Sequence, residues 1–184
     1  NNSVTSLQAN ADISSTNAKV VGIYTTNGIF AENHGKISLT GDNSSAMYST
    51  KDTTTGISTL LKNESTGNIE VGKNGSAMYV VGNNAENKGA IKIGEGSVAM
   101  RTEGGTLYNY ATGTIDSTGT KALGMSQSTG GNITNDGTIT LTGDQSIGIH
   151  SENITLAVHT VTNTGTITVG DSVSATTPSI GIYS

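Results

Sequence analysis

The sequence predicts an all-β fold, a right-handed parallel β-helix (solenoid) of about seven coils with roughly 24 residues in each coil. Three observations lead to this fold class. An isoleucine recurs at a nearly constant interval, an asparagine and a glycine precede it in most repeats, and a pair of one small and one apolar residue follows it. Such repeats stack on one another, because no single repeat can bury its own apolar face.

The isoleucine marks a short strand in each repeat. Around Ile139 the segment TITLT alternates apolar and polar residues, which is typical of a strand with one buried face. Three of the six intervals between successive isoleucines equal 24 residues, and the longest contains extra Ser- and Thr-rich sequence. The aligned isoleucines are Ile13, Ile37, Ile69, Ile91, Ile115, Ile139 and Ile167.

Two further sets of apolar residues recur with the isoleucines, and we expect them to line the same interior. Stacked coils lie about 4.8 Å apart, so each side chain would rest on its counterpart in the next coil. The apolar member of the small–apolar pair is Ile23, Met47, Met78, Met100, Met125, Ile149 and Ile182. The other set lies two positions before the recurring asparagine and comprises Ala31, Leu61, Ala85, Leu107, Ile133 and Val161.

The recurring asparagine predicts a structural ladder. Asparagine tolerates the backbone of a turn and bonds to nearby main chain, and identical amides on stacked strands can also bond to one another. The expected ladder residues are Asn33, Asn63, Asn87, Asn109, Asn135 and Asn163.

The small member of the small–apolar pair never carries a large side chain. Strand alternation predicts that it faces outward, and its constant small size indicates the close approach of another segment. Its members are Gly22, Ala46, Ala77, Ala99, Gly124, Gly148 and Gly181.

The composition argues against several classes of partner and site. The net charge is −5, with eight Lys and one Arg, which argues against nucleic acid because phosphate binding needs clustered cations. No apolar run approaches the roughly 18 residues of a membrane span, so we expect no membrane insertion by this chain. The chain has no Cys, and therefore no disulfide framework or thiolate metal site.

Repeats such as NKGAIKIGEGSVAM (87–100) and NDGTITLTGDQSIGIHS (135–151) resemble the passenger region of type V autotransporter adhesins of Gram-negative bacteria. The resemblance extends from Ile13 to Tyr183. It implies that residues 1–184 are one β-helix segment of a longer passenger, held at the bacterial surface by an outer-membrane barrel domain outside this chain. It also implies a monomeric rod without a cofactor, whose partner is a protein or glycan on a host or bacterial cell.

An outward column beside the inner methionines is the first candidate binding site. Tyrosine and arginine dominate binding hot spots, and aromatic ring faces suit the C–H surfaces of sugars. The alternative is that these residues only favour strands and stack on one another. The candidate residues are Tyr24, Tyr48, Tyr79, Arg101, His150 and Tyr183, with Ser126 at the remaining position.

Insertions between coils are the second candidate binding site. They lie near residues 49–60, 126–132 and 151–160, and they vary in length while the coils do not. Loops on a rigid scaffold often carry binding function. The alternative is that these segments are flexible filler.

The carboxylates and histidines indicate neither a metal site nor a catalytic site. Asp42, Asp144 and Asp171 follow glycine at one corner, where a turn role is favoured over Ca²⁺, which needs six to eight oxygen ligands. The remaining acids are dispersed, and we expect no acid at the matching position of a neighbouring coil for His34, His150 and His159.

These features support three hypotheses for the function. The first is an adhesin segment that presents a binding edge or loops. The second is a structural stalk that extends a distal binding domain. The third, a fragment of a β-helical polysaccharide-active enzyme, is disfavoured because glycoside cleavage requires converging carboxylates, and we therefore expect no enzymatic activity.

Overall fold

The computed structural model describes residues 3–26, 28–152, 159–173 and 176–184. These residues form 21 β-strands and no helix, and each coil contributes one strand to each of three parallel sheets of seven strands. The predicted all-β parallel solenoid of about seven coils is confirmed. The described ranges contain no helix with the length and apolar character of a membrane span.

The three sheets run along the solenoid, and every strand pairs in parallel with its counterpart in the adjacent coil. The first sheet contains β1 (Ser3–Leu7), β4 (Gly28–Asn33), β7 (Leu60–Asn63), β10 (Asn84–Asn87), β13 (Leu107–Asn109), β16 (Ile133–Asn135) and β19 (Val161–Asn163). The second contains β2 (Asp12–Ser15), β5 (Lys36–Leu39), β8 (Asn68–Val71), β11 (Ala90–Ile93), β14 (Thr114–Ser117), β17 (Thr138–Leu141) and β20 (Thr166–Val169). The third contains β3 (Val21–Thr25), β6 (Ser45–Thr50), β9 (Ser76–Val81), β12 (Val98–Glu103), β15 (Leu123–Gln127), β18 (Ile147–Ser151) and β21 (Ile180–Tyr183).

The three predicted apolar columns, one on each sheet, line the interior, together with Leu39, Val71, Ile93 and Leu141 of the second sheet. In the second sheet every aligned isoleucine opposes the isoleucine of the next coil, from Ile13 to Ile167. The column from Ile23 to Ile182 pairs in the same way along the third sheet. The column from Ala31 to Val161 does so along the first sheet. A slip of one residue would turn an apolar column outward, so burial fixes the register.

The six aligned asparagines form one hydrogen-bonded ladder at the corner between the first and second sheets. Each side-chain Nδ2 donates to the Oδ1 of the asparagine in the next coil, at 2.7 or 2.8 Å. All of them except Asn163 are fully buried. The first coil has Leu7 at the position opposite Asn33, so the ladder begins with Asn33 in the second coil.

Close packing at this corner accounts for the recurring glycine. A Cβ on Gly113 would lie 2.2 Å from Asn109 Oδ1 and 2.7 Å from the Asn87 carbonyl oxygen. A Cβ on Gly67 would lie 2.2 Å from Asn63 Oδ1. These distances leave no room for a side chain, and the asparagine ladder and the glycine column therefore occur together.

The small member of the small–apolar pair faces the interior, so the prediction that it faces outward is wrong. Ala46 and Ala99 are fully buried, as are the methionines that follow them. Two consecutive residues point inward, which interrupts the alternation of the strand. A Cβ on Gly124 would lie 3.0 Å from Ile139 Cγ2 and 2.4 Å from the Gly148 carbonyl oxygen. The segments that lie close to the small residue are thus the isoleucine column and the next coil.

We expect Asn87→Ala to lower the free energy of unfolding by about 1–3 kcal/mol, because it leaves buried amide groups of Asn63 and Asn109 without their partner. Urea unfolding followed by circular dichroism measures this change. Asn68→Ala is the matched control, because Asn68 is exposed and pairs with Ala90 in the adjacent coil; its effect should stay within about 0.5 kcal/mol. Equal losses for the two variants would contradict a stabilising role of the ladder.

We expect Gly148→Ala to destabilise the solenoid by about 1–3 kcal/mol through overpacking. The added Cβ would lie 2.5 Å from both the Gly181 carbonyl oxygen and Ile167 Cγ2. Gly181→Ala, in the same column of the last coil, is the control because no atom lies within 4 Å of its added Cβ. Thermal melting of the two variants should separate them, and a Gly148→Ala variant as stable as the control would refute the packing argument.

Candidate functional site

The six candidate binding residues lie in one line along the outer face of the third sheet. Each follows the inner Met or Ile of its strand and opposes its counterpart in the adjacent coil. We call this line the outer column. Its members are the six candidates and Ser126: Tyr24, Tyr48, Tyr79, Arg101, Ser126, His150 and Tyr183.

The rings of the outer column stack on one another. The ring centroids of Tyr24 and Tyr48 are 5.5 Å apart, and those of Tyr48 and Tyr79 are 5.1 Å apart with 28° between the ring planes. The guanidinium carbon of Arg101 lies 5.1 Å from the Tyr79 centroid. Tyr48 and Tyr79 therefore have a neighbour on each ring face. Neither face of these two rings is therefore open to a sugar.

A glutamate joins two members of the outer column. Glu103 Oε1 accepts hydrogen bonds from Tyr79 OH at 2.6 Å and from Arg101 Nη2 at 2.9 Å. Burial, and then the hydrogen bond to the Glu103 carboxylate, raise the pKa of Tyr79 to about 12. Glu103 was not identified from the sequence, although its position two residues after Arg101 places both side chains on the same strand face.

Ser126 divides the outer column into two parts. Its side chain is small and the residue is only 8% exposed, so the aromatic contacts are interrupted between Arg101 and His150. Beyond it, the rings of His150 and Tyr183 stack with centroids 5.2 Å apart and planes within 7° of parallel. The structure thus places all six residues on one face, in a group of four and a group of two.

The three insertions leave the solenoid at a single corner, beside the outer column. All of them connect a strand of the third sheet to the next strand of the first sheet. The connections span residues 51–59, 128–132 and 152–160, and residues 153–158 of the last one lie outside the described residues. The two candidate sites of the sequence analysis therefore form one edge, which we call the binding edge.

Hydrogen bonds occur within the connection 51–59 and join its end to the next coil. The Asp52 side chain accepts a 2.6 Å hydrogen bond from the Thr55 hydroxyl, and hydrogen bonds, foremost this one, lower the pKa of Asp52. At its end, the N–H of Thr59, a buried residue, donates to Asn83 Oδ1 at 2.9 Å. The connection is thus attached to the next coil.

A second aromatic pair, not identified from the sequence, lies on the outer face of the first sheet. Tyr108 and Tyr110 flank the ladder residue Asn109, and their ring centroids are 4.0 Å apart. The Tyr108 hydroxyl donates to Asp136. Two aromatic residues separated by one position share a strand face, which is the signal that could have identified them.

His34 has a carboxylate partner within its own coil, two residues earlier in the chain. His34 Nε2 lies 3.3 Å from Glu32 Oε2, and Lys62 Nζ lies 3.1 Å from Glu32 Oε1. Although burial raises the pKa of Glu32, hydrogen bonds from Lys62 and His34 lower it overall. This direction is the opposite of the one that a general acid requires.

Two of the three corner aspartates take part in turns. Asp42 and Asp144 lie in turns, and their carbonyl oxygens accept the N–H groups of Lys19 and Lys121 in the preceding coil at 2.9 and 2.8 Å. Asp171 lies close to residues 174–175, which are outside the described residues. Among the residues that the structure describes, no three His, Asp or Glu side chains are grouped so that they could hold a metal ion.

Comparisons with known proteins add no assignment to this geometry. No family model, no curated protein and no solved structure matches the chain.

The raised pKa of Tyr79 predicts a pH dependence of stability. Because its pKa lies above the ordinary value of 10, the fold favours the protonated phenol, and this contribution is present below pH 10 and lost as the pH rises through about 12. We expect the free energy of unfolding to fall less over this interval in Tyr79→Phe than in the wild type. Urea unfolding at pH 9 to 12 measures the difference, with Tyr24→Phe as the control. Identical pH profiles for wild type and Tyr79→Phe would contradict the assignment.

Proposed function

We propose that this chain is a segment of a bacterial cell-surface adhesin, a rigid rod whose binding edge contacts a protein or glycan on a host or bacterial cell. One observation carries the proposal: the six candidate residues and all three variable connections share one edge of the solenoid. The resemblance of the repeats to autotransporter passengers supports the same function and an extracellular, monomeric rod.

The binding edge has properties that favour recognition. Tyr and Arg are enriched at binding hot spots, and here they extend from strands whose register is fixed by the core. Contacts between neighbouring side chains restrict the rotamers before a partner arrives, which lowers the entropic cost of binding. The connections beside them differ in length from coil to coil.

A structural stalk is the second candidate, and the ring stacking favours it. Tyr48 lies between Tyr24 and Tyr79, so part of its surface is already used to join adjacent coils. Cross-strand aromatic pairs of this kind contribute to the stability of a sheet. In a stalk the outer column would hold the coils together and contact no partner.

The decisive experiment measures binding of the folded chain to host cells, to bacterial cells and to a glycan array. We expect saturable binding that falls at least about tenfold when Tyr24, Tyr48 and Tyr79 are all changed to Ser, because three hot-spot side chains are removed. The matched control changes Tyr108 and Tyr110 to Ser on the first sheet and should bind as the wild type does. Circular dichroism and thermal melting verify that each variant is folded.

The other outcomes of this experiment assign the function differently. Binding that persists in the triple variant and disappears when the connection 51–59 is shortened would assign adhesion to the connections alone. A folded wild-type chain that binds no cell and no glycan would identify a stalk and would falsify the adhesin proposal.

A further inference from the structure

The connections along the binding edge are short at the third and fourth coils, and we call this stretch of the edge, between the longer connections, the notch. The second and fifth coils carry connections of nine and five residues, 51–59 and 128–132, whereas the third and fourth carry only 82–83 and 104–106. Because the coils stack in sequence order, the two longer connections flank the two shorter ones. We propose that this notch binds a neutral sugar, with a pair of its hydroxyl groups held between Arg101 and Glu103. The inference rests on the proposed adhesive function and specifies its ligand class.

Glycines keep the corner of the notch low. Gly82 and Gly104 have φ values of 65° and 80°, a conformation that L side chains rarely adopt. The Lys51 side chain lies across Gly82, with its Cβ 3.0 Å from where a glycine Cβ would be. At Gly104 the nearest such atom is Thr129 Oγ1, at 3.6 Å. The connections of the flanking coils thus approach the notch from both sides, while its corner carries no side chain from either glycine.

The floor of the notch combines hydrogen-bond donors and acceptors on adjacent side chains. Arg101 Nη2 and Glu103 Oε1 are 2.9 Å apart, and their side chains are 44% and 30% exposed. A guanidinium has five N–H donors and a carboxylate has two acceptor oxygens, so both groups can bond to a ligand as well as to each other. A sugar hydroxyl donates and accepts, and two neighbouring hydroxyls therefore match this donor–acceptor pair.

Tyr79 holds this pair in position. Its hydroxyl donates to the same Glu103 oxygen that Arg101 contacts, and its ring lies under the guanidinium. Val81, which opposes Glu103 in the adjacent coil, is partly exposed beside them and offers an apolar surface. Polar groups next to a small apolar area are suited to a sugar ring, which has hydroxyl edges and C–H faces.

The charge of the notch favours a neutral ligand over an acidic one. The cationic side chains of Lys51 and Arg101 are balanced by Asp52 and Glu103 in the same segments. The chain as a whole carries a net charge of −5. An acidic sugar would have to compete with Glu103 for Arg101, whereas a neutral diol can use both side chains together.

Calorimetric titration of the folded chain with neutral and acidic oligosaccharides tests the proposal. The neutral probes are linear oligomers of hexose and of N-acetylhexosamine, and the acidic probes are oligomers of uronic acid and sialylated oligosaccharides. We expect saturable binding of a neutral probe, with an affinity that changes by less than about twofold between 0.1 and 1 M NaCl because no ligand charge is involved.

Three variants locate the binding. Arg101→Gln and Glu103→Gln should each weaken binding of the neutral probe by at least about tenfold. Gly104→Asn should do the same by placing a side chain in the notch, since asparagine tolerates a positive φ. Lys92→Gln, an equivalent charge change on the second sheet, is the control and should bind as the wild type does.

The results that would contradict sugar binding at the notch differ from those that would contradict adhesion. Binding of acidic probes alone, strengthened by Glu103→Gln, would show that the notch is an anion site and overturn the proposal. Absence of neutral-sugar binding, or binding that survives Arg101→Gln, would also overturn it. If cell binding is lost in Tyr24→Ser/Tyr48→Ser but unchanged in the three notch variants, the adhesive function stands and the notch assignment fails.

Discussion

The distance between coils, about 4.8 Å, is set by the backbone hydrogen bonds of parallel strands, and every side-chain column must fit it. Stacked isoleucines and stacked methionines fit this distance through apolar contacts. Asparagine does so by an amide hydrogen bond of 2.7 or 2.8 Å, and tyrosine by ring stacking at 5.1 to 5.5 Å. The sequence repeats because every column must fit the same distance between coils, and each column does so through a different interaction.

The same spacing constrains the charged residues on the surface. Like charges stacked in adjacent coils would repel one another, whereas opposite charges can pair. Ion pairs of this kind connect Glu32 with Lys62, Glu64 with Lys88, Glu70 with Lys92 and Lys73 with Glu95. Each pair bridges two neighbouring coils. Such exposed pairs add little stability individually, and the avoidance of repulsion along the column is their larger effect.

The features built from one residue that recurs in every coil could be predicted from the sequence. Those that depend on local backbone geometry could not. The isoleucine columns and the asparagine ladder could be found because the same residue returns in coil after coil. The burial of Ala46 could not, because two consecutive inward residues break the alternation on which the prediction relied. The contacts of Glu103 with Tyr79 and Arg101 depend on side-chain directions that a repeat pattern does not specify. That the variable connections lie beside the outer column required knowing where each strand ends.

The asparagine ladder also has a mechanical consequence. Hydrogen bonds between coils run along the rod axis, so a pulling force along that axis loads the coil-to-coil contacts in series. Under such a load the weakest contact, and not the sum of all contacts, determines when the rod opens. The contact between the first two coils pairs Leu7 with Asn33 and lacks the amide bond that joins the later coils. Under tension the rod should therefore open first at that contact, while the asparagine-linked coils remain closed.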